Sequence, residues 1–211
     1  VKSASPDIIV ITGDLIDRRK YDLETAMIFI RGAIDIAPVY YVSGNHEAWS
    51  GRFSSIKESL VDAGVNIIDN TAAELFKGKS SINILGLSDP DFLTSDYLEG
   101  TNTTELTKKL NQWSTDKNFK ILLSHRPELF DLYCDNNMDL IFTGHAHGGQ
   151  FRIPFVGGLI APDQGLFPQF TSGSYHKNLS TMFVSRGLGN SIVPIRILNR
   201  PEIVVVTLKS K

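Results

Sequence analysis

Four short apolar runs, DIIVITGD (7–14), VYYVSGN (39–45), FKILLSH (119–125) and DLIFTGH (139–145), constrain this chain more than any other feature, because each stops on glycine, aspartate, asparagine or histidine. Runs this short and this apolar read as strands buried on both faces. Each must therefore be covered on two sides, and each delivers a polar group at its C-terminal end. Helical patterns lie between them. Leu23, Met27, Ile30 and Ile34 recur at helical spacing over 23–36, with Pro38 just beyond. Residues 53–63 read as a helix closing at Gly64, 101–113 as another, and PELFDLY (127–133) as one with proline in its first turn. NII, AELF and INILGL are short strands. After about residue 148 the helical patterns cease, and FRIP, TMFVSR, VPIRIL and EIVVVTL read as strands around a Gly-, Pro- and aromatic-rich loop at 154–176. Alternating β and α units followed by mostly β predict an α/β (α+β) class, a mixed sheet core with helices outside. With no repeat, low-complexity tract or linker, one domain spanning 1–211 is expected.

At 211 residues, 42% of them hydrophobic, the chain buries a sizeable core without staples. Lys+Arg number 21 against 23 Asp+Glu, with no long run of one sign, so charge nominates no nucleic-acid partner. The single cysteine, Cys134, excludes an internal disulfide and reads as a half-buried apolar residue. No window approaches the ~18 to 20 unbroken apolar residues of a spanning helix. The sequence opens VKSASPDIIVITGD, with no initiator Met, basic n-region or signal h-region. The expectation is that residues preceded Val1 and that any targeting or anchoring segment lay among them, which leaves location open.

Strand ends of an α/β sheet converge on one edge, where ligands bind. The residues brought there are Asp14, Asp17, Asn45, His46, His125, His145 and His147. Each has a bland alternative. Asp14 could cap a turn, Glu47 could serve the dipole of a first helical turn, and His125 could cap the helix that follows it. His145 and His147, two apart on a strand, would lean to the same side and could face one object. Together, in this order and each at a strand terminus, they form a set of metal ligands and proton carriers.

The pattern resembles the calcineurin-like metallophosphoesterases, whose D-x-H, GD-x-x-D, GNH(E/D), lone His and GH-x-H elements are matched from the second onward by Asp14–Asp17, Asn45–Glu47, His125 and His145–His147. The resemblance covers essentially the whole chain and implies a four-layer α/β/β/α sandwich with the metal site at the strand C-terminal ends. GHAHGGQFRIP, SRGLGNS and IRILNRPEIVVVTL resemble a bacterial, membrane-associated subgroup, some of whose members cleave UDP-diacylglucosamine-type substrates. D-x-H is absent ahead of Asp14, so the first strand is expected to be missing and the chain to be truncated at its N-terminus.

By resemblance, Asp14 bridges two divalent cations. Asn45, His125 and His145 complete one site, and His147 serves the other with the absent Asp and His. Mn, Fe and Zn all accept such mixed N/O ligands, and one ion or none is expected for this chain alone. The implied reaction is phosphodiester or phosphomonoester hydrolysis by a metal-bridging hydroxide, the diester being favoured. His46 acts as general acid and Asp17 orients it. Arg18 matches a phosphate-contacting arginine of some relatives, or is a solvated surface residue. His176 reads as a loop histidine. Phe155, Leu159, Ile160, Leu166, Phe167, Phe170 and Tyr175 either wall a lipid-linked leaving group or pack onto the sheet. The expected partner is a phosphoester substrate, with membrane association through a segment preceding Val1. A catalytically impaired interaction scaffold on the same fold is the alternative, although it has no use for His46 and Asp17.

Overall fold

The computed structural model describes residues 1–93, 101–190 and 195–209. β1 (Ile9–Thr12), β2 (Val39–Val42) and β3 (Asn66–Ile67) form a parallel three-stranded sheet in the order β1-β2-β3. β4 (Ala72–Lys77), β5 (Ser80–Gly86), β6 (Lys120–Leu123), β7 (Leu140–Thr143), β12 (Gly173–Lys177) and β13 (Ser180–Val184) form a second sheet in the order β12-β13-β7-β6-β5-β4. Its centre, β13-β7-β6-β5, is parallel, and both edge pairs are antiparallel.

The layering follows from the two-residue period of a strand. In β2, Val39 and Tyr41 face a cluster that includes Met27 and Ile30 of α1 (Leu23–Ile34) and Ile56 and Leu60 of α3 (Phe53–Asp62). Tyr40 and Val42 face the other way, into a cluster shared with Ile84, Ile121, Leu123 and Leu140 of the second sheet. On that sheet the intervening residues Leu85, Leu122, Ile141 and Met182 meet Leu106 and Leu110 of α4 (Thr104–Trp113) and Phe130 and Tyr133 of α5 (Phe130–Asp135). Helix, sheet, sheet and helix thus stack in four layers, as expected. α1 starts where Asp22 accepts a hydrogen bond from Thr25 N at 3.0 Å.

The helix over 127–133 is a 3₁₀ turn, Pro127–Leu129, running into α5. Cys134 is buried in the α5 cluster, and burial pushes its thiol up. The 154–176 segment differs from a plain loop. Two small hairpins, β8 (Arg152–Ile153) with β9 (Gly157–Gly158) and β10 (Ile160–Ala161) with β11 (Gly165–Leu166), lead into and through it before β12 begins. His176 lies within β12, its Nδ1 3.0 Å from Thr181 Oγ1.

VPIRIL lies partly outside the described residues, and its described part makes one bridge, Ile197 to Phe151. EIVVVTL is not a ladder strand among the described residues. Its burial alternates, and Val206 packs against the same intersheet cluster as Ile8 and Val10. Hydrophobic alternation sets which side faces inward but not which backbone it pairs with.

Candidate metal centre

β1 and β2 end side by side, and the loops after them touch backbone to backbone. Gly13 has φ +86, and a Cβ there would lie 2.5 Å from Gly44 N. Only glycine suits both demands. Asp14 follows at φ 53. α2 (Asn45–Trp49) starts at Asn45. Its Glu47 is fully buried and gathers four backbone N–H groups. Oε2 accepts from Asp14 N and Gly44 N at 2.8 Å each, and Oε1 from Leu15 N at 2.7 Å and Ile16 N at 3.3 Å. Burial and the neighbouring Asp14 charge push Glu47 up to about 7 against those donors. Glu47 therefore fixes the loop that presents Asp14, a larger role than service to a helix dipole.

β6 and β7, on the other sheet, deliver His125 and His145 to the same place. His125 Nδ1 lies 2.6 Å from Thr12 O, a contact that requires a proton on Nδ1. His125 Nε2 then faces Asn45 Oδ1 at 3.0 Å, His145 Nδ1 at 3.0 Å and Asp14 Oδ2 at 3.2 Å. Burial lowers the His125 pKa, but the charge of Asp14 and its hydrogen bond outweigh burial and push it up to about 9. Burial likewise acts to raise Asp14, and His125 holds it far below the usual carboxylate range. His125 Nε2 thus faces three polar atoms in a buried pocket. Carboxylate, amide and imidazole donors so converged suit a divalent cation of the Mn, Fe or Zn kind, and an apolar core has no use for them.

Among the described residues, Asp14, His125 and His145 place ligand atoms within 4.8 Å of one another, and His147 is not in that group. The expected strand geometry of His145 and His147 is corrected here. β7 stops at Thr143, and His145 and His147 have φ 60 and 47 on either side of a right-handed Ala146. The rule of alternate sides does not apply to such a turn. His147 is still pushed down to about 4 by burial, with Asp14 opposing, so the two groups share one electrostatic neighbourhood. His145 is pushed down to about 4 by burial as well.

The His46 ring turns to the segment that follows Asp14. Its backbone N–H donates to Asp14 Oδ1 at 2.9 Å, while ring Nδ1 lies 3.3 Å from Arg18 N and 3.7 Å from Asp17 Oδ1. The Arg18 guanidinium lies over the Trp49 ring at 4.6 Å, so it is neither wholly solvated nor remote from His46.

Sequence reasoning missed the group behind His145. Arg126, 1% exposed, pairs twice with Asp89 (2.7 and 2.8 Å) and with Asp91 at 2.8 Å. It also binds Asp163, and its Nη1 is 3.7 Å from Glu128 Oε1. Glu128, His145 and Asp163 bring atoms within 4.8 Å of one another, but the guanidinium already supplies the cation there. No spacing links Asp89, Arg126 and Asp163. The available signal was a charged residue set directly after a strand-end histidine.

A second clamp lies under His147. Asn199, 2% exposed, donates through Nδ2 to His147 O at 2.7 Å and Gln150 O at 3.1 Å.

Residues 1–149 match the family model described as calcineurin-like phosphoesterase. An uncharacterized metallophosphoesterase of Bacillus subtilis (strain 168), YkuE, is 34% identical over 100% of this chain and 70% of its own length. An uncharacterized metallophosphoesterase of Aquifex aeolicus (strain VF5) is 30% identical over 98% of this chain and 74% of its own. Phosphodiesterase YaeI of Escherichia coli (strain K12) is 25% identical over 96% and 70% respectively.

Proposed function

The chain belongs to the calcineurin-like phosphoesterase family, a family of metal-dependent hydrolases, and on that premise we propose that it cleaves phosphodiesters at the centre built on His125. The observation that carries this is the convergence of Asp14, Asn45 and His145 on His125 Nε2 at 3.0 to 3.2 Å. Asp14, Asn45, His125 and His145 would hold one divalent cation, and His147 would serve a second. The D-x-H pair that would complete that second site in relatives is not in this sequence.

A cation held by these residues would supply Lewis-acid chemistry, polarising a phosphoryl oxygen and offsetting developing charge. The residues do the rest. Asp14 supplies the negative charge, held in place by the His46 amide and by Glu47 through the backbone. Thr12 O fixes His125 so that Nε2 faces the site. His46 is the general acid. With Nδ1 turned to Asp17 and the Arg18 amide, Nε2 is the nitrogen that delivers a proton to the leaving alkoxide.

A lipid-linked substrate is supported by half of the aromatic segment. Phe170 and Tyr175 pack into the α5 side of the sheet, whereas Phe155, Val156, Leu166 and Phe167 are exposed. A cleft of about 510 Å³ beside them is lined by Arg152, Ile153, Phe155, Val156 and Leu198. Among the described residues no helix is long and apolar enough to cross a membrane. No observation favours the scaffold.

The test is the leaving group. With Mn²⁺ supplied, His46→Ala should slow an alkyl phosphodiester by about 10²–10⁴-fold and a nitrophenyl diester far less, because a nitrophenolate leaves without a proton. Equal losses on both would remove His46 from the acid role.

A further inference from the structure

The outer nitrogen of His145 is contested. Asp163 Oδ2 lies 2.8 Å from His145 Nε2, and Arg126 Nη1 lies 3.2 Å from the same atom. The two contacts demand opposite tautomers. A carboxylate only accepts, so it needs the proton on Nε2 and leaves Nδ1 with a lone pair. A guanidinium only donates, so it needs the lone pair on Nε2 and sends the proton to Nδ1. Nδ1 is the atom that faces His125 Nε2 at 3.0 Å, among the converging donors. Only the first tautomer can offer a ligand there.

Asp163 reaches His145 from outside the strand-end set. It sits at φ 56 in the turn between β10 and β11, flanked by the exposed Ile160 and Leu166. Arg126 is tied down by Asp89 and Asp91 and also donates to Asp163, so the guanidinium and the carboxylate are held together beside one ring.

We infer that Asp163 is a positioning residue, which accepts the Nε2 proton of His145 from the β10–β11 turn and thereby selects the tautomer whose Nδ1 lone pair enters the donor set. The inference rests on the metal centre of the preceding section. Its consequence is that a peripheral hairpin, remote in sequence from every strand-end motif, governs one ligand of that centre. Partners of this kind orient metal-binding imidazoles in general. The particular point here is that loss of Asp163 hands Nε2 to an arginine that favours the wrong form.

The experiment is a two-bond ¹H–¹⁵N spectrum of the ¹⁵N-labelled, metal-free chain at pH 7, with an Mn²⁺ titration beside it. The parent chain is expected to carry the His145 proton on Nε2. Asp163→Ala should move it to Nδ1 and weaken Mn²⁺ binding by roughly 10–100-fold. Asp163→Asn retains an acceptor oxygen, and should keep the Nε2 proton and most of the affinity. The Asp163 side chain is 45% exposed, so its truncation leaves the core untouched. If Asp163→Ala keeps the proton on Nε2, or binds Mn²⁺ within twofold of the parent, the inference is overturned. A parent His145 protonated on Nδ1 overturns it without any variant. A parent chain with the Nε2 tautomer but no Mn²⁺ binding would instead overturn the metal-centre reading, leaving the role of Asp163 in the tautomer intact.

Discussion

Thr12 O, at the end of β1, lies 2.6 Å from His125 Nδ1, at the end of β6. The strand of one sheet thus orients the imidazole delivered by the other. The geometry of the candidate centre depends on how the two sheets pack, and on the loops that Glu47 and Asn199 hold.

Glu47→Ala would leave the N–H groups of Asp14, Leu15, Ile16 and Gly44 without their acceptor. At roughly 1–3 kcal/mol for each buried unsatisfied donor, and allowing for relaxation, urea unfolding should show a loss of at least about 3 kcal/mol. Glu47→Gln keeps one acceptor oxygen and should lose less. A loss near zero for the alanine variant would mean that the Asp14 loop holds itself.

Asn199 and Gly148 should be coupled. Gly148 has φ +67, and a Cβ there would meet Asn199 Cγ at 2.9 Å. Asn199→Ala should cost about 1–3 kcal/mol through loss of the two Nδ2 hydrogen bonds to His147 O and Gln150 O, at about 0.5–1.5 kcal/mol each. Gly148→Ala should be less costly in the Asn199→Ala background than alone. Strict additivity in the double-mutant cycle would contradict the clamp.

Glu128 makes stability depend on pH. Burial, only partly offset by Arg126, pushes its carboxyl up to about 7, and among the described residues neither oxygen has a hydrogen-bond partner. The folded chain therefore holds a proton that the unfolded chain releases near 4.5. The contribution is fully present below pH 4.5 and is lost as pH rises through 7. Glu128→Gln should gain stability relative to the parent between pH 5 and 8, measured by denaturant midpoints. An unchanged difference across that range would place the carboxyl at its ordinary value.

Much of the site was legible because strand ends are legible. Asp14, Asn45, His125 and His145 each follow an apolar run, and the sheet edge gathers whatever such runs deliver. The four layers were implicit in the alternation of residues such as Val39, Tyr40, Tyr41 and Val42. What stayed hidden lacks a period. Asp163, Arg126 and Asn199 make side-chain hydrogen bonds across long stretches of chain, with no repeat to announce them. His145 and His147 take left-handed backbone beyond the end of β7, so a strand rule misdescribed them. The hairpins that lead into and through 154–176 are two-residue ladders, too short for alternation to reveal.

The central claim is that His125 anchors a cation-binding set supplied by this chain's own residues. Calorimetric titration of the metal-free chain with Mn²⁺, repeated on His125→Ala and Asn45→Ala, tests it most directly. Saturable binding to the parent, weakened in both variants by more than the roughly 10–100-fold that an outer-shell change costs, is the predicted result. Binding of equal strength in all three proteins would contradict it.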